Sequence, residues 1–180
     1  MWKHASFSIL ALGFGITIGF PHPAQAETLE PNAPLQLAQA SPSSATLASE
    51  RVSIQKALSD YSDAFSRSAA EAATFYGEPT LLLLPNQVKV LSKRADIEDF
   101  FAKTLAGLTP LGYSYSKFVD PRIRLLNATT AICSAVAVRF KADGTEMQRL
   151  GVTYLLHKDN SAWKIHELIP TDLDKLVNAD

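Results

Sequence analysis

The chain has 180 residues, 47% of them hydrophobic and 19% charged, with Lys+Arg 17 against Asp+Glu 18. No cluster of Lys and Arg forms a stripe that would track phosphates, so composition offers no electrostatic case for a nucleic-acid partner. The single cysteine, Cys133, excludes an internal disulfide and is expected to be buried as a small hydrophobe.

Lys3 and His4 open a segment in which Phe7 to Phe20 is an uncharged run of 14 residues, shorter than the ~20 residues a helix needs to cross a hydrocarbon core. Pro21 and Pro23 interrupt any helix, and Ala24-Gln25-Ala26 supplies the small-x-small pattern read by signal peptidase. The expectation is an export signal over 1–26, cleaved after Ala26. That makes the protein periplasmic or secreted, with no stable membrane anchor after cleavage. Residues 27–48 are rich in Pro, Ala, Ser and Gln and hold no aromatic residue. They read as a disordered tether to one domain over 49–180, an ordinary domain size.

Within that domain, Ile54, Ala57, Leu58, Tyr61, Ala64 and Phe65 recur at helical spacing and predict a first helix from about Glu50. A short second helix is expected over Ser68–Tyr76, with Ala72, Phe75 and Tyr76 inward and Gly77 and Pro79 as its stop. The run "TLLLLP" predicts a strand apolar on both faces, and "QVKVLS" a short partner. Ser92 is a candidate cap for a third helix whose buried face is Ile97, Phe100, Phe101, Leu105 and Leu108. Four strands at period 2 follow: Tyr113–Leu126, Thr129–Lys141, Glu146–His157 and Ala162–Ile169. Asn127-Ala128, Asp143-Gly144 and Asp159-Asn160 are the turns between them. Helices followed by a meander of hairpins define an α+β fold with a largely antiparallel sheet.

The ordered set "AFSRS", "FYGEPTLLLLP", "SKRADIEDFF" and "SAWKIHELIP" resembles the nuclear transport factor 2-like superfamily, which includes SnoaL-like cyclases and ketosteroid isomerases. The resemblance spans about Glu50 to Leu176. It implies three N-terminal helices packed on a strongly curved sheet that forms a conical cavity, the cystatin-like α+β cone. Isomerase members carry a carboxylate base just before a proline in the strand after the second helix, and here Leu84 precedes Pro85. A leucine moves no proton, so the resemblance argues against that chemistry. It also implies dimers formed through the sheet's outer face, for which Leu150, Val152, Tyr154 and Leu156 offer an apolar row; burial under the helices explains the same row.

The candidate ligand contacts are Tyr61, Phe65, Tyr76, Leu84, Tyr115, Arg149 and Glu167. Tyr61 lies on the buried stripe of the first helix, where isomerase relatives hold a tyrosine that donates to the substrate oxyanion. Period 2 places Trp163, Ile165, Glu167 and Ile169 on one face, so that Glu167 is either a buried acid or base beside Tyr61 or a residue of a wet rim. Arg149 is either its partner across the adjacent strand or an anion ligand. Tyr113 and Tyr115 share a face at this spacing. In Thr129–Lys141 the face of Ala131, Cys133, Ala135 and Ala137 is small, which allows close packing or room for a ligand. His157 and His166 do not converge on a metal, no nucleophile motif is present, and no cofactor is called for. The reading is an exported protein that binds a small, mostly apolar molecule without catalysis. An enzyme using Tyr61 and Glu167, and a dimerisation or scaffold module, stand as alternatives. The first requires Glu167 to face inward beside Tyr61.

Overall fold

The structure, a computed structural model, describes residues 43–178; the expected export signal and the tether up to residue 42 lie outside the described residues. Ser43 stands in extended backbone and its Oγ accepts from the Thr46 amide at 3.2 Å, satisfying one of the donors that a helix start leaves orphaned. Helix α1 then runs Ser44–Arg67. It takes up residues 44–48 of the expected tether, because the capping serine starts the helix ahead of its apolar stripe. Ile54, Leu58, Tyr61, Ala64 and Phe65 of that stripe are buried as the spacing predicts.

Ser68 does two things at once. Its extended backbone ends α1, and its Oγ accepts from the Glu71 amide at 3.1 Å to cap α2, Ala69–Ala73. The second helix is therefore shorter than expected, and Tyr76 is already in strand β1, Tyr76–Leu84. Gly77 does not stop a helix. A side chain there would overlap the His166 ring, so β1 and the last strand pack closely at this glycine.

Strand β2, Gln87–Leu91, pairs antiparallel with β1, and α3 follows at Arg94–Leu108. The start of α3 is capped by Asp96, whose carboxylate accepts from the Ser92 and Lys93 amides at 3.1 and 3.2 Å. The Ser92 hydroxyl is not the cap, since an ionised acceptor reaching back from the first turn also complements the helix dipole. Gly112, at φ 86°, turns the chain into four long strands: β3 Tyr113–Leu125, β4 Thr130–Lys141, β5 Glu146–Asp159 and β6 Ala162–Thr171. Asn127 Oδ1 and Asp143 Oδ1 each accept from the amide two residues on, forming the first two turns as their side chains predict.

The curved, unclosed sheet has the order β2-β1-β6-β5-β4-β3. All its pairings are antiparallel except β1 with β6. Helix α1 lies against β3, and α2 against α3. Ala131 and Cys133 of β4 and Val152, Tyr154 and Leu156 of β5 face this helical layer and belong to the buried core. The apolar row on β5 is thus on the concave side, not on the outer face that a sheet-to-sheet dimer would use. Desolvation pushes the Cys133 thiol up to about 12, as expected of an inert buried cysteine.

The outer face carries the end of the chain. Ser134 and Thr153 point to that face, their hydroxyls 2.6 Å apart, because their neighbours in sequence point inward. The Val177 amide donates to Ser134 Oγ at 3.1 Å, and Arg122 donates to Asn178 Oδ1 at 3.3 Å. The tail after β6 therefore crosses β5 and β4 toward β3. It turns over Gly151, where a side chain would overlap the Thr171 carbonyl.

Candidate functional site

A cavity of about 610 Å³ opens between α1, α3 and the concave face of the sheet. Its walls are apolar and strongly aromatic: Phe65 from α1, Phe100 and Phe101 from α3, Phe118 from β3, Val152 from β5 and Leu168 from β6. Interiors are normally packed to crystal density, with few voids larger than a water molecule. A space of this size is a built feature of the fold, and it falls in the range of ligand pockets. On β4, Ala131 and Cys133 are closed into the core while Ala137 lines the cavity. The small face thus serves close packing at one end and leaves room at the other.

Three phenols meet at the inner end. Tyr76 donates its hydroxyl to that of Tyr61 at 3.1 Å, and the Tyr154 ring stands edge-on to that of Tyr61 with centroids 6.2 Å apart. Burial raises the Tyr61 phenol to about 12 although Tyr76 donates to it; Tyr76 and Tyr154 are pushed well above the ordinary range by the same desolvation. With Tyr76 donating to its oxygen, Tyr61 keeps its own proton for a further acceptor. Of the pair Tyr61 and Tyr76, Tyr61 lines the cavity and Tyr76 stands behind it.

Near the mouth, Arg139 of β4 lines the cavity between two cross-strand partners, Ser116 on β3 and Gln148 on β5. Arg139 Nη1 donates to Gln148 Oε1 at 2.8 Å. No carboxylate lies within ion-pair distance of it among the described residues. Desolvation lowers its pKa, with the phenols of Tyr113, Tyr61 and Tyr154 in its field; a guanidinium nonetheless stays charged at any physiological pH. Ser116 Oγ is 2.8 Å from the Tyr113 hydroxyl, which makes this end of the cavity polar.

Of the residues expected from sequence, Tyr61, Phe65, Leu84 and Arg149 line the cavity. Glu167 does not. Leu155 pairs with Glu167 while Leu156 pairs with Ile165, so β6 carries one extra residue, His166, at a bulge. The bulge inverts the alternation. Trp163 and Ile165 face the core, Leu168 lines the cavity, and Glu167 turns to the outer side. Arg149 does not meet Glu167 either; its guanidinium grips Glu146 through two hydrogen bonds of 2.7 and 2.8 Å.

A second irregularity, between Tyr113 and Tyr115, separates two residues that period 2 places together. Tyr113 stays with the polar end of the cavity, and Tyr115 lies outside. There its ring stacks on Phe140 at 4.9 Å, with the Lys117 ammonium 5.6 Å from its centroid. Arg139 was not among the sequence candidates, although it continues the small-residue face of β4 at period 2 beyond Ala137. Phe118 and Tyr154 had no signal beyond strand alternation. Elsewhere, His157 and His166 both approach Asp159, at 3.7 and 3.4 Å. Among the described residues no group of three or more His, Cys, Asp or Glu is placed to hold a metal ion, and no helix is long and apolar enough to cross a membrane.

Comparison with known proteins places the fold. The family described as NTF2-like protein (DUF6841) matches residues 49–172. Among solved structures, Aln2 from a Streptomyces species is similar with a TM-score of 0.59 at 13% identity, over 75% of this chain and 96% of that one. An NTF-2 like protein of unknown function from Shewanella oneidensis MR-1 is similar with a TM-score of 0.56 at 17% identity, over 68% and 99%. A protein of unknown function with a cystatin-like fold from Nostoc punctiforme is similar with a TM-score of 0.56 at 11% identity, over 68% and 90%. These identities carry the fold alone. No curated protein matches the chain. The family match over most of the domain, together with a cavity enclosed by helices and a curved six-stranded sheet, means that the chain belongs to the NTF2-like family DUF6841, within the nuclear transport factor 2-like superfamily.

Proposed function

We propose that this protein binds a small, mostly apolar molecule in the cavity and holds it without catalysing a reaction. The observation that carries the reading is the open, aromatic-walled space of about 610 Å³. Burying an aromatic or alicyclic body there removes apolar surface from water at about 25 cal/mol per Å². The site lacks what proton chemistry needs. Leu84 occupies the position of the isomerase base, Glu167 points away, and the one carboxylate among the described lining residues is the exposed Asp172 beyond the end of β6. A phenol raised to about 12 can donate a hydrogen bond to a ligand oxygen, but it is a poor general base or acid at neutral pH.

Export belongs to the same proposal. A carrier released after Ala26 would act outside the cytoplasm, and N-terminal sequencing of the native protein should begin at Glu27. Recovery of chains that still start at Met1 would remove export from the proposal. The binding reading is tested by native mass spectrometry of protein purified from its own host. The expected result is a species heavier than the polypeptide by one small molecule, released on denaturation. Apolar compounds should also raise the melting temperature as mass action requires. Absence of both a bound mass and any thermal shift across an apolar compound panel would overturn it.

A further inference from the structure

We propose that the molecule this cavity takes is an organic monoanion, an apolar or aromatic body carrying one carboxylate, with the carboxylate seated on Arg139. The inference rests on the binding reading and adds the chemical class of the ligand. Two arginines line the cavity, and they differ in one respect. Arg149 is already neutralised by both oxygens of Glu146. Arg139 has a neutral amide on Nη1 and no acid, which leaves the Nε and Nη2 edge of its fork unclaimed by any side chain among the described residues. A partly buried guanidinium without a counter-charge costs free energy unless a ligand or solvent supplies one, and the planar fork matches a carboxylate bidentately.

The surroundings select the charge and shape of that anion. Ser116 and Tyr113 place hydroxyls beside the arginine, so further hydrogen bonds to a carboxylate oxygen are within the site's means. A phosphate dianion fits less well. One guanidinium would leave a residual negative charge in an apolar cavity. Beside the arginine the walls are aromatic, and the Tyr61 hydroxyl, whose oxygen accepts from Tyr76, has its own proton to offer. The ligand implied has its acid on Arg139 and a ring or branched hydrocarbon against the aromatic walls, with Tyr61 able to donate to a carbonyl or hydroxyl oxygen.

The test uses two fluorescent probes of the same skeleton, anilinonaphthalene sulfonate, a monoanion, and N-phenylnaphthylamine, which is uncharged. Wild type should bind the anion at least about tenfold more tightly than the neutral probe, the scale of a charge-assisted hydrogen-bonded pair. In Arg139→Gln that ratio should fall to about one, and Arg139→Lys should restore part of it. Circular dichroism and the melting temperature establish that each variant is folded. Should the variants fail to fold, wild type decides the matter by displacement: phenylbutyrate should release the bound neutral probe at about tenfold lower concentration than phenylbutyramide. Equal affinity for the two probes overturns the anion while leaving the apolar cavity standing. Preference that persists in folded Arg139→Gln overturns the role of Arg139. Binding of neither probe overturns the cavity reading and this inference together.

Discussion

The hydroxyl of Tyr76 donates to that of Tyr61 across 3.1 Å at the closed end of the cavity, tying the first strand to the first helix through a bond that water does not reach. Both phenols are held neutral by burial, Tyr61 up to about 12 and Tyr76 well above its ordinary value of 10.0. A tyrosine whose folded pKa exceeds its unfolded one stabilises the protein fully below about pH 10. That contribution is lost as pH rises through the folded value. Absorbance at the phenolate band should therefore lag behind free tyrosine between about pH 10 and 12, and stability in urea should fall over the same window. Tyr61→Phe should cost about 1 kcal/mol and shrink the alkaline loss. An unchanged alkaline limb in Tyr61→Phe would refute the assignment.

Ala137 and Glu167 separate the inside of the sheet from the outside. Ala137→Trp pushes an indole into the cavity and should abolish binding of the neutral probe, with little change in stability because the space is already open. Glu167→Gln acts on the far side of the bulge and should change probe affinity less than about twofold, as surface substitutions away from a site do. Fluorescence titration of the two variants checks both outcomes. A tenfold loss in Glu167→Gln, about 1.4 kcal/mol, would return that carboxylate to the site.

Glu50 clasps the start of α1 to the sheet. Its carboxylate accepts from Lys158 Nζ at 2.6 Å and from Trp163 Nε1 at 2.9 Å. The Lys158 hydrogen bond is the largest cause holding its pKa below 4.5, against a desolvation that pushes the other way. A depressed carboxylate stabilises the fold above its unfolded pKa of about 4.5, and the contribution is lost as pH falls through the lower native value. Glu50→Gln should lower stability by about 1–2 kcal/mol at neutral pH and flatten the acid limb of the stability curve. Urea denaturation at about pH 7 and about pH 3 reads both effects.

Gly151 sits where the tail leaves β6, and a methyl group there would overlap the Thr171 carbonyl. The obstacle is backbone, which cannot rotate away as a side chain tip would. Gly151→Ala should destabilise by about 1–3 kcal/mol and loosen the tail, seen as faster proteolysis after Thr171. A variant as stable and as resistant as wild type would mean that the tail does not hold its place on the outer face.

Order and type of element were legible in the sequence because they depend on local periodicity and turn chemistry. The stripe from Ile54 to Phe65, the strand pair around Pro85, and the four strands separated by Asn127, Gly144 and Asn160 all stand within a few residues of their expected limits. The family, and with it the cone and its cavity, followed from that order. What period 2 alone could not decide was which face each residue shows once a strand carries an irregularity. One extra residue at His166 sends Glu167 out and Leu168 in, and the shift after Tyr113 does the same to Tyr115. Bulges come from the fit of a strand to its curved neighbours and to the layer packed on it, a relation between separate segments that no window of sequence contains. The same holds for Arg139. Its place on a face was readable from Ala131 to Ala137, but its neighbours are set by the pairing of β4 with β3 and β5, which puts Ser116 and Gln148, and no acid among the described residues, beside it.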